Sequence, residues 1–531
     1  MSVRHFKDLL PIDNFFGLLA GIIAGLLVSF LLFGFWWPYW RIADGDLWMV
    51  YEAFLLNDGL PQEWFDAPGY FTILLLGTWF HLLHVVGLLD VHALSSLPVP
   101  SEAEHAWTAA VRAGRVLSLM LAIFFVLGFG TLLRRLIGDW RVAAAAAFAL
   151  AFSGGVAMEA RIIRTELIAG GLVILSLLVL LIAARTLNTA WRPALVGLAA
   201  FLATVGLINK VQLIFLICSL PLIALPFGRS SDNHSGFWRT SPLALPAAAL
   251  SAVGAALVAI PAASLVSIGF SQVEGSLFSY EPFAFGLFGI YQPIIAVWIG
   301  VSMIFFAVLW GVSALETFTA AAAVVFGVAL GLLSLDIRYN PQNVIVVINP
   351  IEQLLLAARQ SHPDLADGAG LVTGLVHALV KGVASVVATR TFVLDPSARP
   401  TILLEWLVIA GGISAWRAGE RKLVAQVAVL MCVAWGMDAI YSVRGLQLAY
   451  FTLTDPLVII AAALLLASFG PLQAHRHVFA IGMTVIVAHL VLSQAEPLKH
   501  TFQRSRPLQY CVEHLAYTKK IERFSFCPAG A

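Results

Sequence analysis

The feature that most restricts this chain is the recurrence of apolar runs of about 20 residues, the length an α-helix needs to cross a hydrocarbon layer. The first reads "FFGLLAGIIAGLLVSFLLFGFWWPYW". Runs near 14–38, 112–133, 142–158, 167–184, 194–208, 211–227, 243–269, 291–312, 315–335, 401–416, 422–443, 448–469 and 478–493 predict about 13 spans. In lipid the backbone has no water to bond, so such spans must be helical. Only 11% of the 531 residues are charged, and the mean hydropathy is +0.90. Soluble domains carry about a quarter charged residues. The predicted class is therefore an all-α, polytopic transmembrane protein. Its first run is too long for the core of a cleaved signal and reads as an uncleaved helix.

One run, "YFTILLLGTWFHLLHVVGLL" at 70–89, decides the topology. If it crosses, the basic loops after it fall opposite the basic N-terminus. If it lies in the interface, they all share the N-terminal side: Arg134, Arg135 and Arg141; Arg185 and Arg192; Arg229 and Arg239; Arg417, Arg421 and Lys422; and Arg476. The bias of Lys and Arg toward the cytoplasm selects the second arrangement, and His81 and His84 suit an interfacial helix. The expected external regions are then 39–111, 158–166, 336–400 and the tail 494–531. The expected organisation is a module 1–227, a cytoplasmic linker 228–242, and a second module 243–493. Cys511 and Cys527 in the external tail could pair, while Cys218 and Cys432 read as small residues within spans. A net charge of +1 gives no reason to expect a nucleic-acid partner.

Thirty residues after the first run, "RIADGDLWMVYEAFLLNDGLPQEWFDAPGY", hold a cluster of acids. Acids near a membrane are costly unless they face water, a cation or a partner. Asp58, Glu63, Glu102 and Glu104 read as solvated loop residues, whereas Asp44 and Asp46 are pinned beside Trp36, Trp37, Tyr39 and Trp40. The short turn "MEARIIRTELIAGG" must hold Glu159, Arg161, Arg164 and Glu166 at the same boundary. Salt bridging inside that turn is one reading. Convergence with Asp46 is the other.

Several stretches carry a family resemblance. They are the acid at the end of the first run followed by "NDGLP", then "DAPGYFTILLLG", "RAGRVLSLMLAIFFVLGFGTLLRRLIGD" and "EARIIRTELIAGG". Over about 14–230 the chain resembles the GT-C superfamily of membrane glycosyltransferases, and within it the branch of protein O-mannosyltransferases and lipid A aminoarabinose transferases. The resemblance implies that Asp46 stands where acceptor and metal or donor phosphate meet. Leu47 follows it where a second acid is common, leaving Asp44 as the alternative companion. "DAPGY" has a single Pro68 and suggests Asp66 and Tyr70 as substrate-pocket residues. Arg161 followed by Glu166 matches the second-loop pattern, with Glu166 as a catalytic candidate. "GLINKVQLIFL" suggests Lys210 near the donor phosphate, and "SVRGLQLAYFTLTDPLVIIAAALL" suggests Arg444, Tyr450 and Asp455.

What the resemblance implies chemically is transfer from a lipid-linked sugar donor, a polyprenyl phosphate, to an acceptor hydroxyl on a glycan, lipid or protein. Asp46 is the expected base, with Arg161, Arg164, Lys210 and Arg444 holding the phosphate. Direct displacement inverts the anomeric carbon. A divalent metal on Asp46 and Glu166 is an alternative source of charge neutralisation, although no ligand spacing fixes one. The stretch 336–400 is too long for a bare connector, and its patterns "IEQLLLAARQ" and "LVTGLVHALVKGVASVV" read as interfacial helices. A transporter or flippase is the rival class, favoured by Glu316, Glu405 and Asp438 near or within spans. A surface-polysaccharide polymerase or ligase is another, with its chemistry moved to 336–400. Composition and the absence of external glycosylation motifs suggest a bacterial inner membrane.

Overall fold

A computed structural model describes residues 14–60, 69–99, 102–186, 191–229, 244–268, 291–339, 371–386, 401–442, 448–468 and 476–493. Among these there are helices and turns and no strand. The N-terminal helices are α1 (Asn14–Phe33), α2 (Trp48–Asn57), α3 (Tyr70–Val85), α4 (Ala103–Ile137), α5 (Trp140–Ala151), α6 (Gly154–Glu159), α7 (Thr165–Arg185), α8 (Trp191–Asn209) and α9 (Ile214–Ala224). Then come α10 (Ala244–Ile268), α11 (Tyr291–Trp310), α12 (Ala314–Tyr339), α13 (Leu371–Ser385), α14 (Ile402–Arg417), α15 (Arg421–Tyr441), α16 (Leu448–Ser468) and α17 (Arg476–Ser493). Seven of the described helices are long and apolar enough to cross a membrane: α1, α4, α7, α8, α12, α15 and α16.

Burial separates the centre from the rim. The most apolar stretches of α7 and α16 are 89% and 83% buried, against 28% for α1, α8 and α12. α7 packs against α4, α8, α9 and α16, and α16 packs against α5, α6, α14 and α15. At the rim, Leu18, Val28 and Leu32 of α1, Val297 and Ile304 of α11, and Phe318 of α12 are exposed. Apolar surface on this scale needs lipid or another protein against it.

Two ends of the bundle follow from the contacts. Arg134, near the end of α4, lies 4.9 Å from the Phe15 ring at the start of α1, so α1 and α4 run antiparallel. The chain between them returns to the end at which α1 finishes. α3 stays there: its first turn binds Asn209 at the end of α8, and Trp79 Nε1, further along it, donates to Ala113 O of α4 at 2.9 Å. α4 has 35 residues, a length of about 52 Å, so it extends well past a bilayer core of roughly 30 Å. Its first turns pack with α2 and α3 in a second apolar cluster around Phe54, Phe80 and Trp107.

The expected span 142–158 is divided into α5 and α6 at Phe152 and Ser153. Gly154 and Gly155 follow the break, and a Cβ on Gly155 would stand 2.6 Å from the Thr452 backbone nitrogen of α16. The missing side chain lets these two backbones touch. Elsewhere α8 and α12 cross through small residues in "GVALG", where Gly327 sits on the Gly197 carbonyl and Gly331 on Thr204. In lipid such close backbone approach supplies the dispersion that a solvent-driven hydrophobic effect cannot.

The crossing yields a test. Gly327→Leu should cost about 1–3 kcal/mol, the usual range for overpacking. Gly21→Leu, whose added Cβ meets nothing within 4 Å, should leave the melting temperature in detergent unchanged.

Candidate functional site

Where α1 ends, the chain makes a 3-10 turn (Tyr39–Ile42) and a π-helical turn (Ala43–Leu47) that carry Asp46 inward until it is 0% exposed. Its Oδ2 accepts from Arg115 Nε at 2.9 Å and Nη2 at 2.6 Å, and its Oδ1 accepts from the Ile163 amide at 2.6 Å. Arg115, on α4, also donates from Nη1 to Trp37 O at 2.7 Å and from Nη2 to Pro38 O at 3.0 Å. One carboxylate and one guanidinium thus tie together the exit of α1, the side of α4 and the turn between α6 and α7. Burial pushes the Asp46 carboxyl up, while Arg115, the Ile163 amide and Arg164 pull it back.

Three residues after Ile163, the first turn of α7 brings in Glu166. Lys210 Nζ, just past α8, donates to its Oε1 at 2.9 Å, and the Thr165 hydroxyl donates to Oε2 at 3.1 Å. Asn209 fixes the register of this pair. Its Nδ2 donates to Thr165 O at 3.0 Å, and its Oδ1 accepts from the Thr72 amide and hydroxyl at 2.9 and 3.0 Å. Glu159, at the end of α6, is 1% exposed, and its carboxyl group faces the Leu167 amide. Burial and the charge of Glu166 push it well above the usual carboxylate range, with Arg164 and Lys210 opposing.

Arg161 turns away from this group toward α1. Its Nη2 donates to Ser29 Oγ at 2.6 Å, its guanidinium lies 5.4 Å from the Phe33 ring, and Nη1 has no partner. Burial pulls it down to about 10. No carboxylate pairs with it among the described residues. Arg164 is half-buried and is the cation of the turn nearest to solvent.

Sequence reasoning named most of these residues, and the structure brings Asp46, Arg161, Arg164, Glu166 and Lys210 onto one end of the bundle. Tyr70 opens α3 directly after Gly69, whose amide donates to Asn209 O at 3.1 Å. Tyr450 stacks on Tyr441 at 5.0 Å, and the Tyr441 hydroxyl donates to Gln212 O at 3.1 Å, two residues beyond Lys210. Asp455 lies deeper, where its Oδ1 accepts from the Thr401 hydroxyl at 3.2 Å. Asp66 and Arg444 lie outside the described residues, as does the side chain of Asp44. Arg115, Asn209 and Thr72 were not anticipated. The available signal was an arginine within the apolar run that became α4.

The metal alternative fits this arrangement poorly. Asp46 and Glu166 are engaged by Arg115 and Lys210, and among the described residues no three His, Cys, Asp or Glu side chains converge to hold an ion. The cations beside these acids, Arg164 and Lys210, suit an anion. No family model matches the chain, and neither a curated protein nor a solved structure does.

Removing one member of the Asp46–Arg115 pair strands a buried charge, at a cost of about 3–5 kcal/mol. Arg115→Met should therefore lower the melting temperature sharply. Asp46→Leu combined with Arg115→Met should recover much of the loss, and a strictly additive double variant would refute the coupling.

Proposed function

We propose that the protein is a membrane-embedded, inverting glycosyltransferase that moves a sugar from a polyprenyl-phosphate donor to an acceptor hydroxyl. The observation that carries this reading is the buried Glu166–Lys210 pair, with Glu159 and Arg164 acting on it at one end of the helix bundle. A lipid phosphate needs cations that gain attraction as the sugar departs, and an incoming hydroxyl needs a carboxylate to take its proton. The pair offers both. The donor phosphate draws Lys210 away from Glu166, assisted by Arg164, the other cation acting on that carboxylate. Glu166, released from its counter-charge, then takes the acceptor proton.

In the transfer step the acceptor O–H bond breaks toward Glu166 while a new oxygen–carbon bond forms at the anomeric centre. The bond from that carbon to the phosphate oxygen breaks, and its electron pair leaves on the phosphate. Attack opposite the leaving group inverts the centre. Asp46, both of whose oxygens are engaged, serves as the positioning group that holds the α6–α7 turn against the exit of α1. The same reading takes the chain as having thirteen spans, a cytoplasmic N-terminus and this site on the external face of a bacterial inner membrane. It takes a glycan, another lipid or a protein as acceptor.

Transport is the second reading, supported by Glu405, Asp438 and Asp455, which are buried within the bundle. They sit near the start of α14, the end of α15 and the second turn of α16. That is close to the end holding Lys210, whereas a transporter is expected to bind near the midplane.

Mass spectrometry of lipids and surface glycans from cells with and without the gene separates the two readings. The transferase reading expects one sugar addition to vanish. With donor and acceptor in hand, Glu166→Gln should lower kcat by about 10²–10⁴-fold. Arg164→Gln should raise the donor KM by about 10–100-fold, the worth of one charge-assisted hydrogen bond. An unaltered lipid and glycan profile after gene loss would discard the proposal.

A further inference from the structure

At the opposite end of the bundle three cations lie together with no carboxylate bonded to them among the described residues. Arg185, in the last turn of α7, lies 5.3 Å from the Phe227 ring and donates from Nη1 to Leu136 O at 2.6 Å. Lys422, in the first turn of α15, donates to Gly228 O and lies 4.4 Å from the Trp310 ring. Arg229 is the next residue along and is exposed. All three cations therefore bear on one short segment, 227–229. Arg185 and Arg229 are the charges that act on Lys422.

Among the described residues no carboxylate pairs with any of the three. Their neighbour Arg192 shows what a matched cation looks like here, with Glu316 at 3.5 Å. Carbonyls at helix ends offset part of the charge. Yet an Arg carries five N–H donors and a Lys three, and Arg185 and Lys422 each spend one on a described carbonyl. Among the described residues no carboxylate takes up the remaining donors.

Position identifies the source of a balancing anion. α7 has 21 residues, so this patch lies about 30 Å from Glu166 along the helix, at the headgroup level of the other leaflet. Trp310 is fixed by its Nε1 donating to Leu225 O at 2.9 Å, and the preceding Val308 and Leu309 of α11 are exposed, offering apolar surface for acyl chains beside the cations. A free inorganic anion has no use for that surface, whereas a phospholipid uses both parts.

We propose that Arg185, Arg229 and Lys422 form a binding site for an anionic phospholipid, its phosphate on the three cations and its chains along α11. The site is separate from the transfer chemistry and does not depend on it. Full-length protein, stripped of lipid in a neutral detergent, is titrated with phosphatidylglycerol, phosphatidylcholine or inorganic phosphate, with binding read by native mass spectrometry and thermal unfolding. Phosphatidylglycerol should bind and raise the melting temperature more than either alternative. Each cation near a membrane surface contributes about 1 kcal/mol, so Arg229→Gln with Lys422→Gln should weaken phosphatidylglycerol binding about 30-fold. Arg229→Gln alone, at an exposed position, should weaken it about fivefold and serves if the double variant does not fold. Arg135→Gln with Arg417→Gln, which removes two exposed cations outside the patch, should leave binding unchanged. Equal stabilisation by phosphatidylcholine, equal stabilisation by inorganic phosphate, or an equal loss in the control pair would each overturn the site.

Discussion

The buried pair of Asp46 and Arg115 is the interaction on which the polar end of this bundle depends. Neither side chain has access to water, so each is tolerable only because the other is present. A buried ion pair adds little net stability over an apolar substitute, but it penalises every arrangement in which one member is alone. Here the penalised alternatives are those that let the exit of α1 drift from α4 or from the α6–α7 turn. The pair thereby sets where Ile163 lies, and with it Arg164 and Glu166. Asn209 repeats the device with neutral groups, joining the starts of α3 and α7 to the end of α8.

Charge is distributed unequally between the two ends of the bundle. At one, acids and bases are interleaved and partly matched, leaving Arg161 Nη1 without a hydrogen-bond partner. At the other, cations rest on aromatic rings: Arg134 on Phe15, Arg185 on Phe227, Arg421 on Trp416 and Lys422 on Trp310. An end with both signs can exchange partners when a charged substrate arrives. At the other end, cations that no described carboxylate bonds, Arg185 and Lys422 among them, favour an anion from outside.

Much of the helical layout was legible because apolar length alone dictates it. The expected run 448–469 became α16 at Leu448–Ser468, and 194–208 became α8 at Trp191–Asn209. The break between α5 and α6 was harder to read, since it serves a contact with Thr452 some three hundred residues away, although the "SGG" at the break is a local sign of it. In the candidate site, the turn residues were legible because so short a connection has nowhere else to put them. Their partners were not. Arg161 and Glu166 lie in one turn yet bond Ser29 and Lys210, and those pairings are set by helix register in three dimensions, which a single sequence does not display.

The path of the chain between α1 and α4 has a consequence for biogenesis. These two long apolar helices are neighbours in the order of insertion, yet 34–102 separates them, including all of α2 and α3. If α1 enters first, that intervening stretch emerges on its far side before Arg115 exists in the bilayer to meet Asp46. Arg115 on α4 and the Ile163 amide of the α6–α7 turn together enclose Asp46, so the cap closes only when both later segments are in place.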